Sequence, residues 1–387
     1  MPGKTEHLPS CVLLVAPSPP PYGGMALQAR MLGQLLGKDG HEVIFLPSNL
    51  PFPDRLRFLD ALRGLRPFLR CAMLSSKLWK GVPRADVIHV FAASWLYFFL
   101  VAAPAFVVGR ICGKRTILNY RGGEAARFFR WFGWAAKPVF QMADVVTAPS
   151  EFLASLIRNR FQVLVQIVPN ILDLSAFRYR ERMSLQPKMI VARHLEPAYD
   201  VELVVKAFRA IQEEYPEASL WIAGTGSQET HLRGLVSAWN LENVRFLGHV
   251  AHDDLPGIYD QCDILLNGSR IDNFPGALVE AAAAGLVIVS TNAGGIPYIY
   301  ENGKTALLVE PEDWQALAQA VIKVLKSPSL AVSLTTQAAA QARAFEWGEV
   351  RRALYRAYGF APGGYPGEDD GRRNSAEVRM WRYTAGE

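Results

Sequence analysis

What most constrains this chain is an alternation that runs through it twice. Short, wholly apolar runs are followed by Gly- or Pro-bearing loops and then by stretches with helical spacing. "CVLLVAP" comes first, and an apolar run of this kind is typical of a parallel strand buried on both faces. "PSPPPYGG" is its loop and "MALQARMLGQLLGKDG" the helix after it. "HEVIFLP", "ADVIHVF", "RTILNY", "ADVVTAPS" and "VQIVPN" continue the strand series, with helical segments between most of them. The pattern then repeats with "KMIVAR", "ASLWIAG", "NVRFLG", "CDILLNGS", "LVIVST" and "ALLVEP". Such alternation predicts doubly wound, Rossmann-like α/β domains with parallel sheets. Two series predict two domains, facing each other with the carboxyl ends of their strands towards a cleft.

Length agrees, since 387 residues exceed one ordinary core. The N-terminal domain is expected over 1–178 and the C-terminal domain over 179–344. The joint is placed near "RYRERMSLQPK", Arg178 to Lys188, which is charged and lacks an apolar period. Residues 345–360 read as a last helix packing back on the N-domain. The tail 361–387, rich in Gly, Pro and charge, reads as disordered.

Four scattered cysteines without Cys-x-x-Cys spacing fit reduced thiols. The first ten residues lack the basic start and long apolar run of a signal peptide, so a cytoplasmic protein is expected. "WLYFFLVAAPAFVV", Trp95 to Val108, is shorter than the ~20 residues of a spanning helix and contains Pro104. It reads first as a buried helix and second as an interfacial one.

In open α/β sheets ligands bind beyond the carboxyl ends of the strands. The loop "DNFPGALVE" lies there, with Asp272 and Glu280 eight residues apart. Pro275 and Gly276 begin a helix whose free N–H groups suit phosphate. Glu280, about one turn inside, can accept from two adjacent hydroxyls, as on a ribose; Asp272 stands nearer a second sugar. Spacing alone leaves this reading level with an N-cap Asp and a solvated Glu. "STNAGGIP" and "IAGTGSQ", glycine loops at other strand ends, tip the balance towards a ligand site.

With these loops in view, the sequence resembles the retaining GT-B glycosyltransferases of family 4 (glycosyl transferases group 1), which use nucleotide sugars. "PPPYGGMALQARMLGQLLGKDGHEV", "VPNILDLSAF", "RFLGHVAHDDLPGIYDQCDILLNGS" and "DNFPGALVEAAAAGLVIVSTNAGGIP" carry the likeness. The resemblance implies a role for each matching residue. Glu280 holds the donor ribose, and Asp272 contacts the transferred sugar where the family usually has Glu. Backbone around Phe274, Pro275 and Gly276 serves sugar or diphosphate, although Pro275 has no N–H. Arg193 neutralises the departing diphosphate; Gly224, Gly226 and Val250 lie along the nucleotide. Gly23 and Gly24 form the N-domain loop that closes on phosphate and acceptor.

Three departures stand out. The family's Lys shortly after the Arg is absent: "ARHLEPAYD" puts Ala198 and Tyr199 there. Lys206 or another Arg is the candidate substitute. In "NYRGGEAARF", Arg121 takes the place of a family His, with Glu124 nearby to orient it or to meet an acceptor hydroxyl. Tyr298 stands where an acid is common.

The implied reaction is sugar transfer from a nucleotide sugar to an acceptor hydroxyl with retention, in exopolysaccharide, lipopolysaccharide or other lipid-linked glycan assembly. No cofactor is expected, and no metal, because no Asp-x-Asp pair is present. Two alternatives stay open: a nucleotide-sugar epimerase of similar fold, and a non-catalytic sugar-nucleotide-binding partner.

Arg55, Arg57, Arg63, Arg66, Arg70, Lys77, Lys80 and Arg84 crowd one stretch among Leu, Phe and Trp79. "RFFRWFGWAAKPVF" mixes cations and aromatics again. Both suit an anionic membrane surface at the inner face of the cell membrane, or a helix packed on the sheet with a solvated basic face. No nucleic-acid-binding motif accompanies the charge, and nucleic acid is not an expected partner.

Overall fold

The computed structural model describes residues 11–20, 23–62, 64–359 and 378–380. The chain forms two compact units: 1–171 joined by 350–387, and 172–349.

The first unit holds strands β1 (Cys11–Ala16), β2 (Glu42–Pro47), β3 (Val87–Ala92), β4 (Arg115–Tyr120), β5 (Val145–Ala148) and β6 (Val165–Ile167). The second holds β7 (Lys188–Ala192), β8 (Ser219–Ala223), β9 (Val244–Gly248), β10 (Ile264–Asn267), β11 (Val287–Thr291) and β12 (Leu307–Val309). Each of the twelve apolar runs forms its expected strand. A further strand, β13 (Val378–Met380), pairs parallel with β2 at the sheet edge. Apart from these three residues, the expected disorder of 361–387 lies outside the described residues.

Helices of the first unit are α1 (Gly24–Lys38), α2 (Arg66–Gly81), α3 (Ala103–Ile111), α4 (Ala125–Met142) and α5 (Glu151–Phe161). In the second they are α6 (Val201–Glu214), α7 (Glu229–Ala238), α8 (Leu255–Tyr259), α9 (Gly276–Ala283), α10 (Trp314–Leu325) and α11 (Pro328–Ala342), and α12 (Trp347–Tyr358) follows. Among the described residues no single helix is long and apolar enough to cross a membrane. The Trp95–Val108 stretch becomes a π-helical turn, Phe98–Ala102, running into α3. Phe98, Val101, Ala102, Ala105 and Phe106 are buried in the N-terminal core.

All pairings between these strands are parallel, and the orders locate the ligand crevices. In the first unit the order is β13-β2-β1-β3-β4-β5-β6, so it reverses between β1 and β3. In the second it is β12-β11-β10-β7-β8-β9, reversing between β7 and β10. Helices leave neighbouring strands in opposite directions at such a switch point, which opens a crevice at the carboxyl ends.

The joint lies at Ile171/Leu172, ahead of the charged segment expected to form it. The cause is a buried cation. Arg182 has a side chain 0% exposed and donates to the carbonyls of Tyr259, Cys262 and Ala284. Its Nε also meets Asp263 at 3.0 Å. These bonds fix the segment to the second unit, so its charge marks an internal clasp rather than a solvated linker.

α12 belongs with the first unit from Val350 onward. Tyr355 OH lies 3.1 Å from His41 Nε2 and donates to Asp39 at 2.8 Å. Tyr358 OH lies 2.7 Å from His89 Nδ1. His89 is wholly buried, which together with the nearby Arg121 charge pushes its pKa down to about 3. A neutral buried His must gain a proton once unfolded, so its contribution is complete above pH ~6.5 and is lost as pH falls towards 3. From the shift of 6.5 to about 3, roughly 4–5 kcal/mol is lost across that window. Thermal melts from pH 7 to pH 4 are expected to fall steeply for the parent and less steeply for His89→Gln; equal slopes would rule this out.

Candidate active site

The carboxyl ends of β7, β8 and β9, and of β10 and β11, come together in this unit, and glycines let them touch backbone to backbone. Leu195 N–H donates to Thr225 O at 3.0 Å, Gly224 N–H to Gly248 O at 2.7 Å, and Gly295 N–H to Asp272 O at 2.6 Å. A Cβ on Gly224 would overlap the carbonyl of Arg193, and one on Gly226 the carbonyl of Leu195. Gly294 adopts φ +59, with Asp272 O where a Cβ would go. The paired glycines of "IAGTGSQ" and "AGG" are thus required by close backbone approach.

This framework brings Arg193, after β7, against Asp272, after β10, at the switch point of the second sheet. They form an ion pair, and Asp272 is 9% exposed. The guanidinium also donates to Ser269 Oγ at 3.3 Å and lies 4.4 Å from the centre of the Tyr199 ring. Its Nε–H is buried and makes no hydrogen bond among the described residues. Burial lowers the Arg193 pKa, while Tyr199, Tyr259 and Glu280 oppose the shift.

Tyr199 therefore fills the neighbourhood of the missing Lys with an aromatic face. Lys206 is not free to replace that Lys, because it pairs with Glu202 at 2.7 Å. Arg270, also beyond β10, is held by Asp200 at 2.8 Å and Glu312 at 3.4 Å.

Glu280 lies in the second turn of α9, 8% exposed. Burial raises its pKa; His252 and Arg193 pull the other way. His252 Nδ1 stands 3.9 Å from its carboxylate. Val250 is half-buried and packs on the apolar cluster around α9. The amides of the helix start are engaged within the segment: Phe274 N–H donates to Asp272 Oδ1 at 3.0 Å and Gly276 N–H to Phe274 O at 3.1 Å. The expected phosphate cradle around Phe274, Pro275 and Gly276 is therefore turned partly onto itself.

Ser269, Tyr199 as a stacking face, and His252 were missed as site residues in the sequence. All three lie within the quoted strand-end segments; only tertiary contact reveals their partners.

The remaining candidates stand at strand ends of the first unit. Gly23 precedes α1 and Gly24 starts it. A Cβ at either would meet nothing within 4 Å, so packing does not demand glycine there. Arg121 donates to Asn170 Oδ1 and lies 5.3 Å from the Phe91 ring centre. Burial lowers its pKa to about 10. Glu124 is turned to other partners, accepting from Trp95 Nε1 at 2.6 Å and meeting Arg127 at 3.5 Å. Among the described residues no cluster of three or more His, Cys, Asp or Glu is placed to hold a metal ion.

Known structures share this pair of Rossmann-like domains, the GT-B fold. Anabaena HepE, whose crystal structure holds UDP and glucose, matches with a TM-score of 0.69 at 17% identity, covering 90% of this chain and 99% of that one. Sucrose-phosphate synthase of Thermosynechococcus elongatus matches at 0.69 and 18%, covering 90% and 98%. Residues 22–176 match Glycosyltransferase Family 4, and residues 180–341 match Glycosyl transferases group 1. The chain belongs to this glycosyltransferase family. Its curated relatives include glycogen synthase of Mycobacterium tuberculosis, 24% identical over 396 residues, 90% of this chain and 94% of the relative. N-acetyl-alpha-D-glucosaminyl L-malate synthase of Bacillus anthracis is 26% identical over 348 residues, 80% and 87%.

Proposed function

We propose that this protein transfers a sugar from a nucleotide-sugar donor to an acceptor hydroxyl with retention, in the assembly of a lipid-linked glycan. The observation that carries the reading is the buried Arg193–Asp272 pair at the switch point, with an unpaired Nε–H on Arg193. A donor diphosphate satisfies that N–H and takes over the guanidinium. Asp272 is then released towards the sugar. Glu280 accepts from the ribose hydroxyls.

As the glycosidic bond breaks, charge develops on the leaving phosphate. A fixed cation in a dry site stabilises that charge without reorganising. Once released from Arg193, Asp272 still accepts from the Phe274 N–H, which weakens it as a nucleophile. The acceptor hydroxyl therefore attacks on the face the diphosphate leaves and passes its proton to the departing phosphate oxygen, rather than through a covalent sugar–enzyme intermediate. Phosphate neutralisation falls to Arg193, with Arg121 supplying cationic character on the acceptor side, so the reaction needs no metal. Gly23 and Gly24 leave room for phosphate or acceptor.

Glu280→Gln tests this reading. Loss of a charged acceptor for two hydroxyls is expected to lower kcat/KM for the donor by about 10- to 100-fold. Its melting temperature should not fall, because the buried carboxylate is replaced by a neutral isostere. The assay offers the purified protein a panel of nucleotide sugars, with and without chelator, and the chelator should have no effect. Parent-like turnover by Glu280→Gln would overturn the assignment. An isomeric nucleotide sugar formed without acceptor would indicate the epimerase instead.

Lipid-linked assembly is supported by the first unit's surface. Phe58, Leu65, Phe68 and Trp79, and on α4 Trp131 and Trp134, are exposed among the basic residues of the same segments. Aromatic and cationic groups together suit an anionic bilayer surface.

A further inference from the structure

A cavity of about 270 Å³ opens in the first unit between α2 and the segment that runs into α3. Leu74, Leu96, Leu100 and Val101 give it an apolar wall, with Arg66 and Arg70 in the same lining. Arg66, Arg70 and Leu74 recur every four residues on α2, so one helix face presents both cations and part of the apolar wall. Tyr97 OH closes onto Ser48 Oγ at 2.8 Å, which satisfies these polar groups within the protein.

The opposite wall has an irregular backbone. Trp95 adopts φ +67, a conformation seldom taken by a bulky side chain, and Phe98–Ala102 is π-helical. Irregularities of both kinds gather where a site needs its side chains re-aimed. Arg70 meets Asp60 through Nη2 at 3.0 Å, yet its Nε–H is buried with no hydrogen-bond partner among the described residues. Leu62, Leu65 and Phe68 lie exposed on the neighbouring chain, extending the apolar surface outward.

We infer that this cavity takes the apolar chain of an anionic lipid, with the lipid's phosphate against Arg66 and Arg70. The inference rests on the lipid-linked acceptor reading and gives that lipid a place. Charge complementarity selects the occupant. A neutral chain fills the apolar wall and leaves Arg66 without a counter-ion and the Arg70 Nε–H without an acceptor among the described residues; a free phosphate answers them and leaves the wall wet.

Cys71 lines the cavity and serves as an internal reporter. Cys112, outside the lining, is the reference thiol; Cys11 and Cys262 are buried. The full-length protein is treated with N-ethylmaleimide, with or without dodecyl phosphate below its micelle concentration, and the modified cysteines are counted by mass spectrometry. Dodecyl phosphate is expected to slow Cys71 alkylation about tenfold or more and to leave Cys112 unchanged. Arg66→Glu should raise the concentration for half-protection by about tenfold, the scale of one charge-assisted contact. Leu100→Trp, which fills the cavity, should abolish protection; Arg66→Glu provides the surface variant should Leu100→Trp fail to fold.

No protection, or equal protection by dodecyl maltoside or by inorganic phosphate alone, overturns the inference. Glu280→Gln separates it from the transferase reading. That variant should lose donor turnover and keep Cys71 protection, whereas parent protein that turns over donor without protecting Cys71 lacks the lipid site only.

Discussion

Arg193→Ala is expected to reduce kcat by about two to three orders of magnitude, the usual loss when one fixed charge-stabilising group is removed from a dry site. It is also expected to destabilise the second unit. Asp272 would stay buried, 9% exposed, without its partner, and stranding one member of a buried pair costs about 3–5 kcal/mol. The two losses are separable. In Arg193→Met/Asp272→Leu neither charge is left stranded, so stability should recover much of the way while turnover stays low. Turnover that recovers along with stability would mean the pair is only a structural clasp. Arg193→Ala with parent kcat would remove the arginine from the chemistry.

Gly224→Ala should produce the largest effect of any single methyl group added to the second unit. The residue sits at φ +147 and its Cβ would overlap the carbonyl oxygen of Arg193. Backbone cannot give way as a flexible side chain can, and strain plus overpacking sum to about 2–5 kcal/mol. That lowers the melting temperature by roughly 5–15 °C in a unit of this size and displaces Arg193, weakening donor affinity with it. Gly234→Ala is the internal control. Gly234 lies within α7, with nothing within 4 Å of its Cβ position, and Ala there should stabilise by about 0.5–1 kcal/mol. Equal melting temperatures for the two variants would refute the account of Gly224.

The twelve core strands were legible in the sequence because parallel strands buried on both faces leave uninterrupted apolar runs. The loop positions of Arg193, Asp272 and the paired glycines followed from the strand ends. Partners across the fold were not legible. Arg182 looked like part of a solvated joint because charge is most often outside. Only the carbonyls of Tyr259, Cys262 and Ala284, brought together by the chain's return, make its burial favourable. Tyr199 was visible as a departure from a Lys, but its stacking under Arg193 depends on the turn at Pro197–Tyr199. His252 near Glu280 depends on α9 packing beside the loop after β9. The occupied amides of Phe274 and Gly276 are set by local backbone geometry that residue type alone does not dictate.

The return of the chain to its first unit at Val350 bears on the order in which the protein is made. The second unit, 172–349, is continuous and is complete once Glu349 has left the ribosome. The first unit has all six of its N-terminal strands by Ile167 yet lacks the tyrosines that meet His41 and His89. At about 5–20 residues per second, α12 arrives on the order of tens of seconds after β1. Synthesis thus begins one unit, finishes the other, and only then supplies the segment that seals the first.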